Sequence, residues 1–123
     1  IHQPILKKIG EALKIGTIVA AICGATEGLA NNGYLDSRKH TSNDLDYIKM
    51  VCPHYKGEKF YETKPVVCDV NLITASGIAP LEFAKEVLTI LDVFAPHTLQ
   101  SWYNLYKTQK TEYFFQLMNS MNR

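Results

Sequence analysis

The sequence predicts an α/β domain with a mostly parallel sheet. A continuous apolar run over residues 18–23 lies between two stretches of helical character. That order makes a helix, strand, helix unit. An uninterrupted apolar run reads as a fully buried strand of a parallel sheet. Farther along, residues 66–68 and 72–74 are two short β-rich segments, followed by an amphipathic stretch from Pro80.

Pro4 suits the first turn of a helix. Ile5, Leu6, Ile9, Ala12 and Leu13 recur at helical spacing, with Lys7, Lys8, Glu11 and Lys14 largely opposite. Gly16 is placed as a C-terminal cap. The apolar strand follows, then a short helix that closes near Asn32 and Gly33. Residues 36–41 are polar and fit a turn with a brief edge strand. Ser42 or Asn43 is predicted to cap a short helix covering Leu45, Tyr47, Ile48 and Met50, stopped by Pro53. Residues 54–64 read as a loop running into a strand around Phe60. Val66, Val67 and Cys68 pair with Leu72, Ile73 and Thr74 through a tight turn at Asp69, Val70 and Asn71. A β-branched Val70 tolerates positive φ poorly, so that turn is expected to avoid it.

From Pro80, the residues Leu81, Phe83, Ala84, Val87, Leu88 and Leu91 form one helix face, which Ala95 and Pro96 end. The tail is helical in pattern and rich in aromatics, including Trp102, Tyr103, Tyr106, Tyr113, Phe114 and Phe115. Two readings of it stand: packing against the domain body, or a dimer surface.

A chain of 123 residues suffices for one domain and one core. Its formal net charge of +1 gives no field pointing to nucleic acid or anionic membrane. No apolar run approaches the roughly 18 residues a membrane span needs. The three cysteines, Cys23, Cys52 and Cys68, form no Cys-x-x-Cys pair and no disulfide framework. A reducing cytoplasm is the expected compartment. The first residue is Ile1 rather than methionine, so the sequence is expected to be part of a longer one.

Cys23 is the candidate nucleophile. A strand that turns sharply into a helix with a reactive residue at the corner is a nucleophile elbow. Bulky neighbours would clash there, and Ala21, Gly24 and Ala25 surround this cysteine. A thiol at a helix start faces unpaired amide N–H groups, which favours the thiolate. The alternative is a small buried hydrophobe ending a core strand.

Two blocks of residues then point to a family. The first is Ala20-Ala21-Ile22-Cys23-Gly24 with the following short helix, continued by Leu35-Asp36-Ser37-Arg38-Lys39-His40-Thr41-Ser42. The second runs from Val66 to Gly77 and on through Leu81-Glu82-Phe83-Ala84. In this order they resemble the core of the ThiJ/PfpI family, within the class I glutamine-amidotransferase-like superfamily. The resemblance implies a flavodoxin-like α/β/α sandwich with the cysteine at the elbow. Residues 1–95 would be the C-terminal part of that domain and residues 96–123 its helical extension. It also implies that the N-terminal strands, and the acidic residue that usually sits beside the thiol, are missing from this chain.

The departures from the family pattern bear on chemistry. Protease-like members carry a histidine directly after the cysteine, where this chain has Gly24. Others place one farther on, where this chain has Asn43. An arginine and a glycine-proline pair often stand where this chain has Ser76, Gly77 and Ile78. The resemblance therefore names no base for Cys23. Asn43 can hydrogen-bond near the thiol but cannot take its proton at neutral pH. By this reading Gly24, Ala25, Asn43, Ser76 and Gly77 line the site or hold the oxyanion.

The remaining reactive residues read as structural. His40 is expected at a surface or edge, and His2 and His97 at exposed helix starts. His54 follows Cys52 and Pro53 in a loop and lacks clustered ligands for a metal. Cys68 reads as inert core, and Glu82 and Glu86 as a solvated face. Glu27 complements the dipole of its helix. No cofactor or metal is expected.

Three functions compete. The first is a cysteine hydrolase (amidase or peptidase-like) or an aldehyde- and glycation-processing enzyme, acting on a small-molecule or peptide substrate. The second is a redox-sensing stress-response protein that works through oxidation of Cys23 without turnover. The third is a degenerate scaffold. By resemblance the protein is a homodimer.

Overall fold

The computed structural model describes residues 3–121, so the expectation for His2 lies outside the described residues. The chain divides into two compact units, Ile1–Phe83 and Ala84–Arg123.

The first unit opens with α1 (Gln3–Lys14). Gly16 ends it as predicted, at φ 87°, with Gly16 N–H donating to Leu13 O and Thr17 N–H to Ala12 O. A side chain rarely adopts that left-handed φ, so glycine takes the position. β1 (Val19–Ile22) follows, then α2 (Ala25–Asn31), which Gly33 closes in the same way at φ 82°. Next come α3 (Leu45–Val51), a single 3₁₀ turn over Glu58–Phe60, β2 (Val66–Asp69) and β3 (Leu72–Ala75).

The sheet has the order β1-β3-β2. β1 runs parallel to β3, with Val19 beside Leu72 and Ile22 beside Ala75. β2 joins from the other side as the antiparallel arm of a hairpin. β3 is the central strand, and every one of its residues is buried. β1 departs from the expected full burial. Only Ala21 is buried, because β3 flanks this strand on one side only. The core around it gathers Leu13, Leu29, Leu35, Ile48 and Leu72, with Ile9, Tyr34 and Tyr55 packed against them.

Several local expectations are corrected. The strands foreseen near residues 36–41 and 60–63 reduce to one parallel bridge between His40 and Tyr61. Asp44, not Ser42 or Asn43, caps α3, its Oδ2 accepting Tyr47 N–H at 2.9 Å. Ser42 and Asn43 are engaged elsewhere, as described below. Val70 does adopt positive φ, at 55°, because the hairpin register leaves its side chain in solvent and its backbone at the tip. Cys68 is exposed rather than core. It follows buried Val67 in β2, and successive side chains of a strand point to opposite faces.

α4 (Pro80–Leu91) begins where predicted, and the boundary between the two units falls within it. In the second unit α5 (Pro96–Thr108) and α6 (Thr111–Met121) pack on one another. Gln109 joins them at φ 61°. Trp102 meets Tyr106 at 5.5 Å between ring centroids, and Lys85 Nζ lies 4.4 Å from the Tyr103 ring centre. Trp102, Tyr103 and Tyr113 are half-buried, while Tyr106, Phe114 and Phe115 are exposed.

Candidate active site

Cys23 stands at the corner between β1 and α2 with φ 58°. A left-handed backbone costs a non-glycine residue roughly 1–2 kcal/mol, so the surroundings must hold it. They do so on both sides of the peptide. Cys23 N–H donates to Ala75 O at 3.1 Å, carrying the parallel pairing one residue past β1. Cys23 O accepts from Thr26 N–H at 3.1 Å and from the Thr26 hydroxyl at 2.6 Å. The turn leaves the thiol exposed.

The sulfur has a defined polar neighbour. Asn43 Nδ2 donates to Cys23 Sγ at 3.4 Å, across 20 positions of sequence. The other end of the same amide, Oδ1, accepts Gly77 N–H at 2.7 Å. A peptide N–H only donates, so this bond fixes which end of the amide faces sulfur. Gly77 is in turn the only size that fits. A Cβ built there would stand 2.9 Å from Cys23 Sγ and 3.2 Å from Asn43 Oδ1.

The other expected site residues take supporting places. Gly24 is the N-cap of α2 in helical conformation, and Ala25 is its exposed first residue. Ser76 is buried. Its hydroxyl accepts from Ile78 N–H at 3.4 Å and its carbonyl from Ala79 N–H, so it shapes the loop that presents Gly77. Glu27 is half-buried on α2, its backbone carbonyl accepting from Cys52 Sγ at 3.5 Å. Burial pushes the Cys52 thiol above its ordinary value, and the Glu27 charge adds to this. His54 and His97 are exposed.

A family model for the DJ-1/PfpI family matches residues 1–90. The chain belongs to the DJ-1/PfpI family. It is 76% identical over 123 residues to the "Uncharacterized protease YoaZ" of Bacillus subtilis, covering all of this chain and 59% of that protein. It is 34% identical over 99 residues to the "Uncharacterized protease YdeA" of the same organism, covering 80% of this chain and 50% of that one. The crystal structure of the thiJ/pfpI family protein from Bacillus anthracis superposes with a TM-score of 0.97 at 74% identity, over 99% of this chain and 57% of that one. The chain thus spans between half and three fifths of the length of these relatives. The DJ-1/PfpI assignment gives the flavodoxin-like fold expected from the two sequence blocks. Among the described residues, no helix is long and apolar enough to cross a membrane.

His40 corrects the sequence reading within this DJ-1/PfpI chain. Expected at a surface or edge, it is fully buried at its bridge to Tyr61, because Tyr55 and Tyr61 close over it edge-on with ring centroids 5.7 and 5.6 Å away. Its Nδ1 lies 2.6 Å from Arg38 O and its Nε2 2.7 Å from Tyr55 Oη. A carbonyl cannot donate, so Nδ1 carries the proton and neutral Nε2 accepts the Tyr55 hydroxyl. Desolvation lowers its pKa below the ordinary 6.5, against the opposing pull of the Arg38 carbonyl, Asp36 and Glu62. The Tyr55 hydroxyl is shifted upward, chiefly by burial, and stays protonated as the donor.

Thr26, Ser42 and Tyr61 escaped the sequence reading as site residues. Thr26 had a usable signal. A threonine three residues after a turn residue, in the first turn of a helix, can bond back to that residue's carbonyl. Ser42 and Tyr61 had none, since their relation to Asn43 arises only in the fold.

Proposed function

We propose that the protein is a cysteine-dependent hydrolase in which Cys23 Sγ is the nucleophile. The observation that carries this is the Asn43 amide. It is oriented by Gly77 N–H and donates to an exposed sulfur at a strained elbow. An N–H aimed at sulfur holds the nucleophile in one orientation for attack. The names of the two Bacillus subtilis relatives support the same class.

The thiolate would attack a carbonyl carbon, giving a tetrahedral oxyanion next to the backbone N–H of Gly24. The residue after the nucleophile supplies an oxyanion donor in such elbows. Collapse would expel the leaving group and leave a thioester on Sγ, which water then hydrolyses. Among the described residues the hydrogen-bond partner of Sγ is Asn43, which neither gives nor takes a proton at neutral pH. An amine leaves only with a proton, whereas a phenolate or thiolate leaves as an anion. An activated ester, whose leaving group departs as an anion, therefore tests the nucleophile without calling on a proton donor.

The test is ester hydrolysis with a p-nitrophenyl acyl ester. A burst of p-nitrophenolate, an acyl adduct on the Cys23 peptide, and loss of both in Cys23→Ala are expected. Full turnover in Cys23→Ala would overturn the proposal. One observation favours a second reading. An exposed thiol at a strained turn is also a target for peroxide. Stoichiometric sulfenic acid at Cys23 without ester turnover would make the protein a redox sensor instead.

A further inference from the structure

We propose that Tyr61 is a positioning residue for Cys23, acting through Ser42 and Asn43. The inference rests on the reading of Cys23 as nucleophile and extends it to how the sulfur's partner is held. Asn43 is exposed, so packing does not fix its backbone. Its two neighbours do. On one side Asp44 is tied down as the cap of α3. On the other, Ser42 is buried, and the Tyr61 hydroxyl reaches both its side chain and its carbonyl. Tyr61 Oη lies 3.1 Å from Ser42 Oγ and 3.4 Å from Ser42 O, while Ser42 Oγ lies 3.3 Å from Asp44 O. Two hydroxyl protons can satisfy any two of these three contacts. Every such pair includes a bond between Tyr61 and Ser42, through its hydroxyl or its carbonyl.

Tyr61 itself is rigidly delivered. Residues 60 and 62 flank it with backbone bonds to His40, His40 N–H to Phe60 O at 3.2 Å and Glu62 N–H to His40 O at 2.8 Å. Its ring stands edge-on to buried His40. The chain of contacts runs from this pair through Ser42 to the Asn43 amide and ends at sulfur.

Tyr61→Phe keeps the ring and removes the hydroxyl. The experiment is the rate of Cys23 alkylation by iodoacetamide, read peptide by peptide, with exposed Cys68 as internal reference and thermal unfolding in parallel. Tyr61→Phe should slow Cys23 about three- to ten-fold, the range of one ordinary hydrogen bond. Cys68 should not change. In an Asn43→Ala background the effect should vanish, since no amide remains to position. A purely structural role would slow Cys23 equally in both backgrounds. Ser42→Ala removes the hydroxyl end of the link and keeps the carbonyl end, so it should show a smaller coupling of the same sign if Tyr61→Phe does not fold. An unchanged Cys23 rate, or effects that multiply in the double variant, would overturn the proposal. Alkylation needs no turnover. Coupling without ester hydrolysis would therefore sink the hydrolase reading and leave the positioning role standing.

Discussion

Asn43 bridges Gly77 and Cys23, its Oδ1 held by the Gly77 N–H at 2.7 Å and its Nδ2 thereby turned to the Cys23 sulfur at 3.4 Å. The geometry makes one side-chain amide serve both a loop and a reactive atom. Changing either end should be felt at the sulfur.

Asn43→Asp tests the donor. One carboxylate oxygen can still accept the Gly77 N–H, but the other faces sulfur with no hydrogen and with charge. Loss of one ordinary hydrogen bond corresponds to about three- to ten-fold. Alkylation of Cys23 at neutral pH should slow by about that factor, with Cys68 unaffected, as followed by peptide mass spectrometry.

Gly77→Ala tests the space. The new Cβ would fall 3.1 Å from Cys23 Cβ and closer still to its sulfur. The Cys23 Cβ is fixed by the backbone and cannot swing away. Either the thiol or the loop must move, at about 1–3 kcal/mol. Urea unfolding should report the loss, and Cys23 alkylation should fall with it.

Val70→Asn tests the hairpin tip. Val70 holds φ 55° and is 81% exposed, so it contributes strain without packing. Asparagine tolerates this region far better than a β-branched residue. The substitution should stabilise the fold by about 1 kcal/mol, seen as a higher urea midpoint with an unchanged slope.

His40 should make stability depend on pH. Its folded pKa is lowered, so between that value and 6.5 the unfolded chain binds more protons than the native one. The contribution is fully present above 6.5 and is lost as pH falls below it toward the depressed folded value. Urea midpoints measured from pH 7.5 down to pH 5 should decline, and His40→Gln should flatten that decline.

The sequence by itself determined the elements and the elbow. The period of the apolar residues in α1 and α4, the glycines after α1 and α2, and the two short segments around Val70 are local signals, legible within a few residues of themselves. The position of Cys23 between an apolar strand and small residues is equally local. The tertiary structure decided which side chains meet. Asn43 reaches Cys23 and Gly77 because the segment before α3 and the loop after β3 converge at the end of β1. His40 is buried because Tyr55 and Tyr61, distant in sequence, fold over it. Ser42 and Asn43 left the cap of α3 to Asp44 because Tyr61 and Gly77 engage them. Hydrophobic period and turn chemistry are properties of neighbours along the chain. The partner of a polar side chain is a property of long-range packing, and no local pattern encodes it.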